Sequence, residues 1–262
     1  MMQNSSPPHS TTEGFAIAEI AGRDSVAAAV AAVAERGFTS LLPTIAFTGT
    51  ETGDPDAPLR AVATLQGLLG DRCEVLEPVY LQEPELWSAM NARYAGVLGE
   101  RYGLCSPCLA CHLHLHLLRV PLSWESGGAP VIAGERDTHD GRVKLSQTTG
   151  SIDSAVRVLA YAGIELLQPI RHASGEEVAA LVGASWDEGA GQLECLLSGN
   201  YAAADGSVTF DADAYTRYLH EFFEPLGLAV VDAWRAQRGG GPSPQWHSIV
   251  VEVLEASGHA PR

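Results

Sequence analysis

The chain has 262 residues, 46% of them hydrophobic and only 7% aromatic, a balance that supports one large core and excludes both a disordered chain and a small disulfide-stapled scaffold. Its formal net charge of −16 repels nucleic-acid phosphates, and no Lys/Arg-rich run offsets it. No stretch approaches the roughly 18 apolar residues that a membrane span requires.

Residues 1–12 are polar and lack an apolar segment before a cleavage site, so a disordered leader on a cytoplasmic protein is expected. Phe15 to Ile20 is short and apolar enough for a buried strand, and after Ala21-Gly22-Arg23-Asp24 the Ala/Val-rich run from Ser25 to Arg36 reads as a helix ending at Gly37. Ser40 to Phe47 is a second strand, and Pro43 predicts that it is an edge strand or begins after that residue. A helix over Pro58 to Leu69, a strand over Cys73 to Leu81 interrupted by Pro78, and a long helix over Glu83 to Gly99 follow. Ala129 to Gly134 gives another strand, Ile152 to Ala162 a helix behind the cap-like Ser151, and Ser174 stands in capping-box spacing to Glu177 at the start of the next helix. Beyond Gly183 the pattern predicts a strand over Leu193 to Leu197, a helix capped by Asp211 and stopped by Pro225, a strand over Ala229 to Trp234, and a C-terminal element from Trp246 to Leu254 after a Gly/Pro linker. Strands alternating with helices of this length predict an α/β fold, a parallel sheet with helices on both faces, with a small C-terminal α+β extension. The expected division is a leader over 1–12, a main domain over 13–184 and an extension over 185–262.

A strand, a tight loop and a helix form a general phosphate cradle, because loop amides and the positive helix end both face the anion. Gly22 allows close backbone approach, Asp24 can hold Mg²⁺ or orient an amide, and Ser25 can donate a hydroxyl; the plainer reading of Asp-Ser is a helix N-cap. Ile20-Ala21-Gly22-Arg23-Asp24-Ser25 resembles the Ser-Gly-Gly-x-Asp-Ser loop of the PP-loop ATP pyrophosphatases, the adenine-nucleotide alpha-hydrolase-like superfamily, with Ile20 and Ala21 replacing its first Ser and Gly. Pro169-Ile170 followed by Glu177-Val178 resembles a second motif of that superfamily, with Gly175 where its lysine usually stands. The resemblance implies a HUP/Rossmann-like fold that binds ATP and Mg²⁺ through Ala21, Gly22, Arg23, Asp24 and Ser25, with Arg23 supplying charge that the altered loop lacks.

Cys105, Cys108 and Cys111 fall within seven residues, an arrangement that in a cytoplasmic setting points to metal or redox chemistry more than to disulfides. On a helix, positions three apart stay within roughly 120° of arc, and the helix start after Pro107 favours thiolates. Three such cysteines suit a [4Fe–4S] cluster with one open iron, three ligands of a Zn²⁺ site, or plain thiols, and geometry does not choose among these. Cys195 is the candidate fourth ligand or persulfide carrier, against the commoner reading of a lone buried cysteine. His112 and His116 share a helix face and suit a divalent metal or a substrate, whereas His114 points away.

The run from Gly134 to Gln147 concentrates Arg136, Asp137, His139, Asp140, Arg142 and Lys144 at the carboxyl end of a strand, where open parallel sheets bind ligands; the plain alternative is a solvated turn around Asp140-Gly141. Arg136 or Lys144 would neutralise ATP phosphates, and Asp137 or Asp140 would help hold Mg²⁺. Within the superfamily resemblance these features imply adenylation of a substrate oxygen followed by sulfur insertion, with Asp24, Lys144 and Cys195 as catalytic residues and a three-cysteine cluster or persulfide handling sulfur. The acidic charge favours a small-molecule or nucleobase acceptor over tRNA, and a sulfur-donor protein and a second copy of the chain are compatible partners. An amidating enzyme with structural zinc and a non-catalytic nucleotide- or metal-binding module are the alternatives.

Overall fold

The computed structural model describes residues 14–104, 107–139, 141–183, 186 and 192–258. In chain order it contains β1 (Phe15–Glu19), α1 (Arg23–Arg36), β2 (Ser40–Ala46), β3 (Glu51–Thr52), α2 (Ala57–Leu69), β4 (Glu74–Val75), β5 (Val79–Leu81), α3 (Pro84–Asn91), α4 (Ala95–Tyr102) and α5 (Pro107–Leu117). It continues with α6 (Val120–Glu125), β6 (Val131–Ile132), α7 (Thr149–Tyr161), β7 (Leu166–Leu167), α8 (Gly175–Val182), β8 (Glu194–Cys195), α9 (Ala212–Tyr218), α10 (Glu224–Arg238) and α11 (Trp246–Ala256).

The main sheet is parallel in the order β4-β2-β1-β6-β7, with β5 also on β2. Successive strand residues face opposite ways, so Ile17, Val131 and Leu166 join a core with α3, α5, α7, α10 and α11, while Ala16, Ala18, Leu41 and Ile132 join a second core with α1, α2 and α8. This is the α/β sheet, covered on both faces, that the PP-loop resemblance implies. Ala27, Ala28, Ala29 and Ala32 are buried in α1, and their small side chains let the helix lie close to the sheet. The order reverses between β1 and β6, which makes the crevice beyond their carboxyl ends a topological switch point, the usual ligand position in such sheets.

Pro43 lies inside β2, which is paired on both sides and is not an edge. The third strand is interrupted around Pro78, and the backbone position of Pro43 faces the gap between β4 and β5, so the missing N–H leaves no ladder bond unmade. The run expected as one helix over 83–99 is two, α3 and α4; the buried Asn91 turns its carboxamide onto the Trp87 carbonyl at 3.0 Å and competes with continuation of the helix. Thr148, rather than Ser151, caps α7. The caps at Ser174 and Asp211 are as expected.

The largest difference lies near the C-terminus. Pro225 does not stop the helix: helical backbone runs unbroken from Ala212 to Arg238, and Pro225 follows directly on a π-helical turn over Leu219–Phe223, where the backbone ladder is already rearranged. The predicted strand at Ala229 to Trp234 is therefore helical, since a short apolar run does not by itself distinguish a strand from a buried helix. Phe222, Leu226, Val230, Trp246 and Val250 pack in the same core as Leu113 and Leu159, so the stretch after residue 184 completes one face of the sheet's covering.

Gly227 sits where α10 crosses α7 and α5, and a Cβ there would lie 2.7 and 2.8 Å from the Val158 methyls. Gly227→Ala should destabilise the fold by about 1–3 kcal/mol through overpacking. Urea titration should show a lower midpoint at unchanged slope, with much of the loss restored by adding Val158→Ala.

Candidate active site

The loop after β1 closes on itself. Ser25 Oγ accepts from the amides of Ala21 and Gly22 at 2.9 and 3.0 Å and donates to the Gly22 carbonyl at 2.7 Å. The hydroxyl expected to meet phosphate is thus spent on shaping the loop. Asp24 receives Arg136 Nε at 3.0 Å and Arg23 Nε at 3.2 Å. Arg136 is only 1% exposed and also donates to the carbonyls of Thr138 and Ala173, both at 3.1 Å, so it braces the loop from behind and does not line the cavity described below. Asp137 gives its oxygens to Arg171 and His172. Both described carboxylates expected at Mg²⁺ are therefore already paired with cations, and Asp140 lies outside the described residues.

The loops after β1 and β6 touch. A Cβ at Gly134 would come within 2.6 Å of the Ser25 Cα and amide nitrogen, a contact only glycine permits.

Beneath this contact lies a buried row of charges. Glu19 ends β1, Glu135 follows β6, and His116 of α5 stands between them, its Nδ1 2.9 Å from Glu19 Oε1 and its Nε2 3.1 Å from Glu135 Oε2. Burial disfavours charge on His116, but the two carboxylates outweigh it and carry its pKa up to about 10. Glu19 and Glu135 are held below the usual carboxylate range against the opposing effect of burial, Glu19 by His116 and Arg119 and Glu135 by His116 and His112. His112 Nδ1 meets Glu135 Oε1 at 2.7 Å, and Gln168 donates to Glu135 Oε2 at 3.1 Å. The shared face of His112 and His116 therefore meets carboxylates. His114, on the other side of α5, is fully buried with neither ring nitrogen bonded, and burial lowers its pKa to about 3.

Above the row opens a cavity of about 720 Å³. Ile20 and Ala21 of the loop, Cys108, Cys111 and His112 of α5, Lys144, Gln147 and Cys195 all line it. Cys195 arrives because β8 pairs antiparallel with β3, setting Cys195 opposite Glu51 and 3.2 Å from Thr50 Oγ1. Gln192, on the same segment, lies against Gly22, where a Cβ would be 2.5 Å from its Oε1. Tyr215 of α9 bonds the Leu145 carbonyl at 2.8 Å and fixes the short turn that follows Lys144. Cys111 Sγ receives the Trp87 indole N–H at 3.4 Å, and Cys108 Sγ lies 3.3 Å from the Leu197 carbonyl. Burial pushes the Cys111 thiol up to about 12; Trp87 opposes the shift, and the neighbouring Cys195 and Cys108 add to it. The expectation that the helix start makes this position thiolate-like is thus reversed by burial. Among the described residues no group of three His, Cys, Asp or Glu side chains is gathered to hold a metal ion, and Cys105 lies outside them. The donor chemistry nonetheless suits a soft metal group, since the thiols of Cys108, Cys111 and Cys195 all line the cavity and a cation would displace the proton of the buried Cys111.

No family model matches the chain. It is 34% identical over 221 residues to the uncharacterized protein MJ0009 of Methanocaldococcus jannaschii, a match covering 83% of this chain and 79% of that protein. The chain belongs to the MJ0009 family. Among solved structures it is similar to a 4-thiouridine synthetase in complex with RNA and bound ATP, with a TM-score of 0.44 at 13% identity, covering 65% of this chain and 40% of that one. It is also similar to the U34-tRNA thiolase NcsA from Methanococcus maripaludis with its [4Fe-4S] cluster, with a TM-score of 0.37 at 14% identity, covering 94% of this chain and 72% of that one. Neither superposition is close enough to decide chemistry, which rests for this MJ0009-family chain on its own side chains.

Sequence reasoning missed Trp87, the β3–β8 pairing and the Glu19–His116–Glu135 row. The signals for the row were the charged residue ending the apolar strand Phe15 to Glu19 and the shared helix face of His112 and His116.

The row makes stability depend on pH. His116 has a folded pKa above its unfolded value near 6.5, so its contribution is complete below pH 6.5 and is lost as pH rises towards 10. Between pH 6.5 and 9, thermal or urea unfolding of the wild type should lose stability relative to His116→Gln. Parallel curves for the two proteins would contradict the assignment.

Proposed function

We propose that this chain is a PP-loop-type enzyme that uses ATP to adenylate a substrate oxygen and then replaces that oxygen with sulfur. The observation that carries the reading is the shared cavity: the loop at Ala21, Lys144, and the thiols of Cys108, Cys111 and Cys195 all open into it.

In this reading the triphosphate lies along the loop, whose shape Ser25 maintains and whose Asp24 is braced by Arg136. Lys144 faces the phosphates and offsets the charge that develops as pyrophosphate leaves. The substrate oxygen attacks the α-phosphorus, forming one P–O bond as the bond to pyrophosphate breaks. Hydrosulfide sulfur then bonds to the activated carbon, and the C–O bond breaks with AMP as leaving group. The balance is one carbonyl, one H₂S and one ATP giving one thiocarbonyl, one AMP and one pyrophosphate. Cys108 and Cys111, with Cys105 and Cys195, are the residues that would hold a [4Fe–4S] cluster; in the persulfide alternative one of them would receive sulfane sulfur from a persulfide donor, and a second thiol would release it at the sulfide level, leaving a disulfide that an external thiol reduces. A cluster bound there would supply a soft position that keeps hydrosulfide deprotonated beside the reaction. Zinc on the same thiols would accompany ammonia as nucleophile instead. The acidic chain favours a small-molecule or nucleobase acceptor, and no helix among the described residues is long and apolar enough to cross a membrane.

Iron and labile sulfide should be measured after anaerobic purification and reconstitution, alongside release of AMP and pyrophosphate from ATP. The expected result is stoichiometric iron and sulfide in wild type and Cys73→Ala, with loss in Cys108→Ala, Cys111→Ala and Cys195→Ala. Lys144→Ala should lower pyrophosphate release about 10²-fold or more while leaving cluster content intact. An iron-free protein after reconstitution, with AMP release unchanged in Cys108→Ala, would sink the sulfur-handling role.

A further inference from the structure

The geometry points to the short turn Leu145–Gln147 as the wall that binds the acceptor, with the Gln147 carboxamide donating to the carbonyl oxygen that is adenylated and the buried Ser146 hydroxyl meeting the same molecule. This inference rests on reading the cavity as the reaction site and adds the side chains that would select the acceptor.

The turn is held from behind. Leu145 is fully buried, and its carbonyl accepts from Tyr215 Oη at 2.8 Å and from Ser151 Oγ at 3.3 Å. The Gln147 amide closes the turn on the Lys144 carbonyl at 2.9 Å, and the turn packs against both α5 and α7. Ser146 and Gln147 therefore stand on a fixed backbone, and both line the cavity.

Their polar atoms differ from others on the same wall in what they already bond. The Thr48 hydroxyl meets Glu51 at 2.7 Å, Thr50 Oγ1 meets Thr48 Oγ1 at 2.8 Å, and Ser207 Oγ donates to Asp205 at 2.6 Å. Ser146 is 6% exposed, and among the described residues nothing bonds its hydroxyl. A buried hydroxyl left in that way is costly, so a ligand that meets it recovers the cost. For Gln147 the orientation follows from chemistry: a backbone N–H only donates, so Oε1 is the atom that faces the Arg136 amide, at 3.4 Å. Its Nε2 keeps two N–H donors, and among the described residues nothing accepts from them. Arg136 does not line the cavity, so the nitrogen edge of Gln147 is the one turned towards it.

Both groups are neutral, which separates them from Lys144. Phosphate oxygens are met most strongly by charged donors, and in the proposed function Lys144 and the loop after β1 serve them. A carboxamide N–H holds a carbonyl oxygen through one lone pair and transfers no proton to it. The second lone pair stays free to attack the α-phosphorus. The turn therefore selects a neutral carbonyl compound and orients the oxygen that reacts.

Nitrogen-15 NMR of the full chain labelled at glutamine tests this, with Gln147→Met assigning the Gln147 side-chain signal. 2-Pyrrolidinone, a small neutral carbonyl compound, should shift that signal, and inorganic pyrophosphate should not. Titrations that follow the probe's own resonances should show its Kd raised about 2–10-fold in Gln147→Met, and likewise in Ser146→Ala, which leaves the Gln147 contact with Arg136 in place. No shift from 2-pyrrolidinone, an equal shift from pyrophosphate, or unchanged probe binding in either variant would overturn the inference. The expected shift in a protein that releases no pyrophosphate from ATP would remove the proposed function alone, whereas no shift in an active protein would remove only this inference.

Discussion

A single buried imidazolium between two carboxylates is the constraint on which the site depends. His116 ties α5 to the ends of β1 and β6, the two strands between which the sheet order reverses. Charges taken out of water are retained at a desolvation cost, and removing one member of such a group typically costs about 3–5 kcal/mol because the others stay buried and uncompensated. The net stabilisation from the group is small by comparison. What it provides is registry: the helix that bears Cys108 and Cys111 has one position relative to the loop at Ala21 to Ser25.

The other side of the cavity is set by a much shorter device. Two residue pairs between β3 and β8 bring Cys195 from far along the chain to the cavity wall, and the absence of a side chain at Gly22 lets Gln192 of the same segment lie on the loop. Gly134 does the same for the loop after β6 against Ser25. The crevice is thus bounded by close backbone approaches at two glycines, one on each side of the switch point. Small-to-large changes at either would act on the loop directly, well away from the thiols.

The sequence made local features legible and long-range ones much less so. The Ala-rich run after Asp24, the capping box at Ser174 and the cap at Asp211 are each written in adjacent residues, and the structure has them. The parallel sheet follows from the alternation of elements. Pro43 and Pro225 misled for different reasons: no ladder partner faces the Pro43 nitrogen, whereas Pro225 follows a π-helical turn that rearranges the backbone ladder. Glu19, His116 and Glu135 are single charged or titratable residues spread over three elements, and only the fold shows that they answer one another. Ser25 and Arg136 do lie at the loop after β1, but their polar atoms are committed to building it.

The loop at Ala21 and the thiols of Cys108, Cys111 and Cys195 line a single cavity, which in the proposed function holds the nucleotide beside the thiols. The most direct test of that placement is the alkylation rate of each cysteine by iodoacetamide, followed by peptide mass spectrometry with and without a non-hydrolysable ATP analogue. The account predicts slower modification of Cys108 and Cys195 when the analogue is bound, with Cys73, buried in the opposite core beside α2, unaffected. Binding of the analogue with unchanged rates at Cys108 and Cys195 would contradict it.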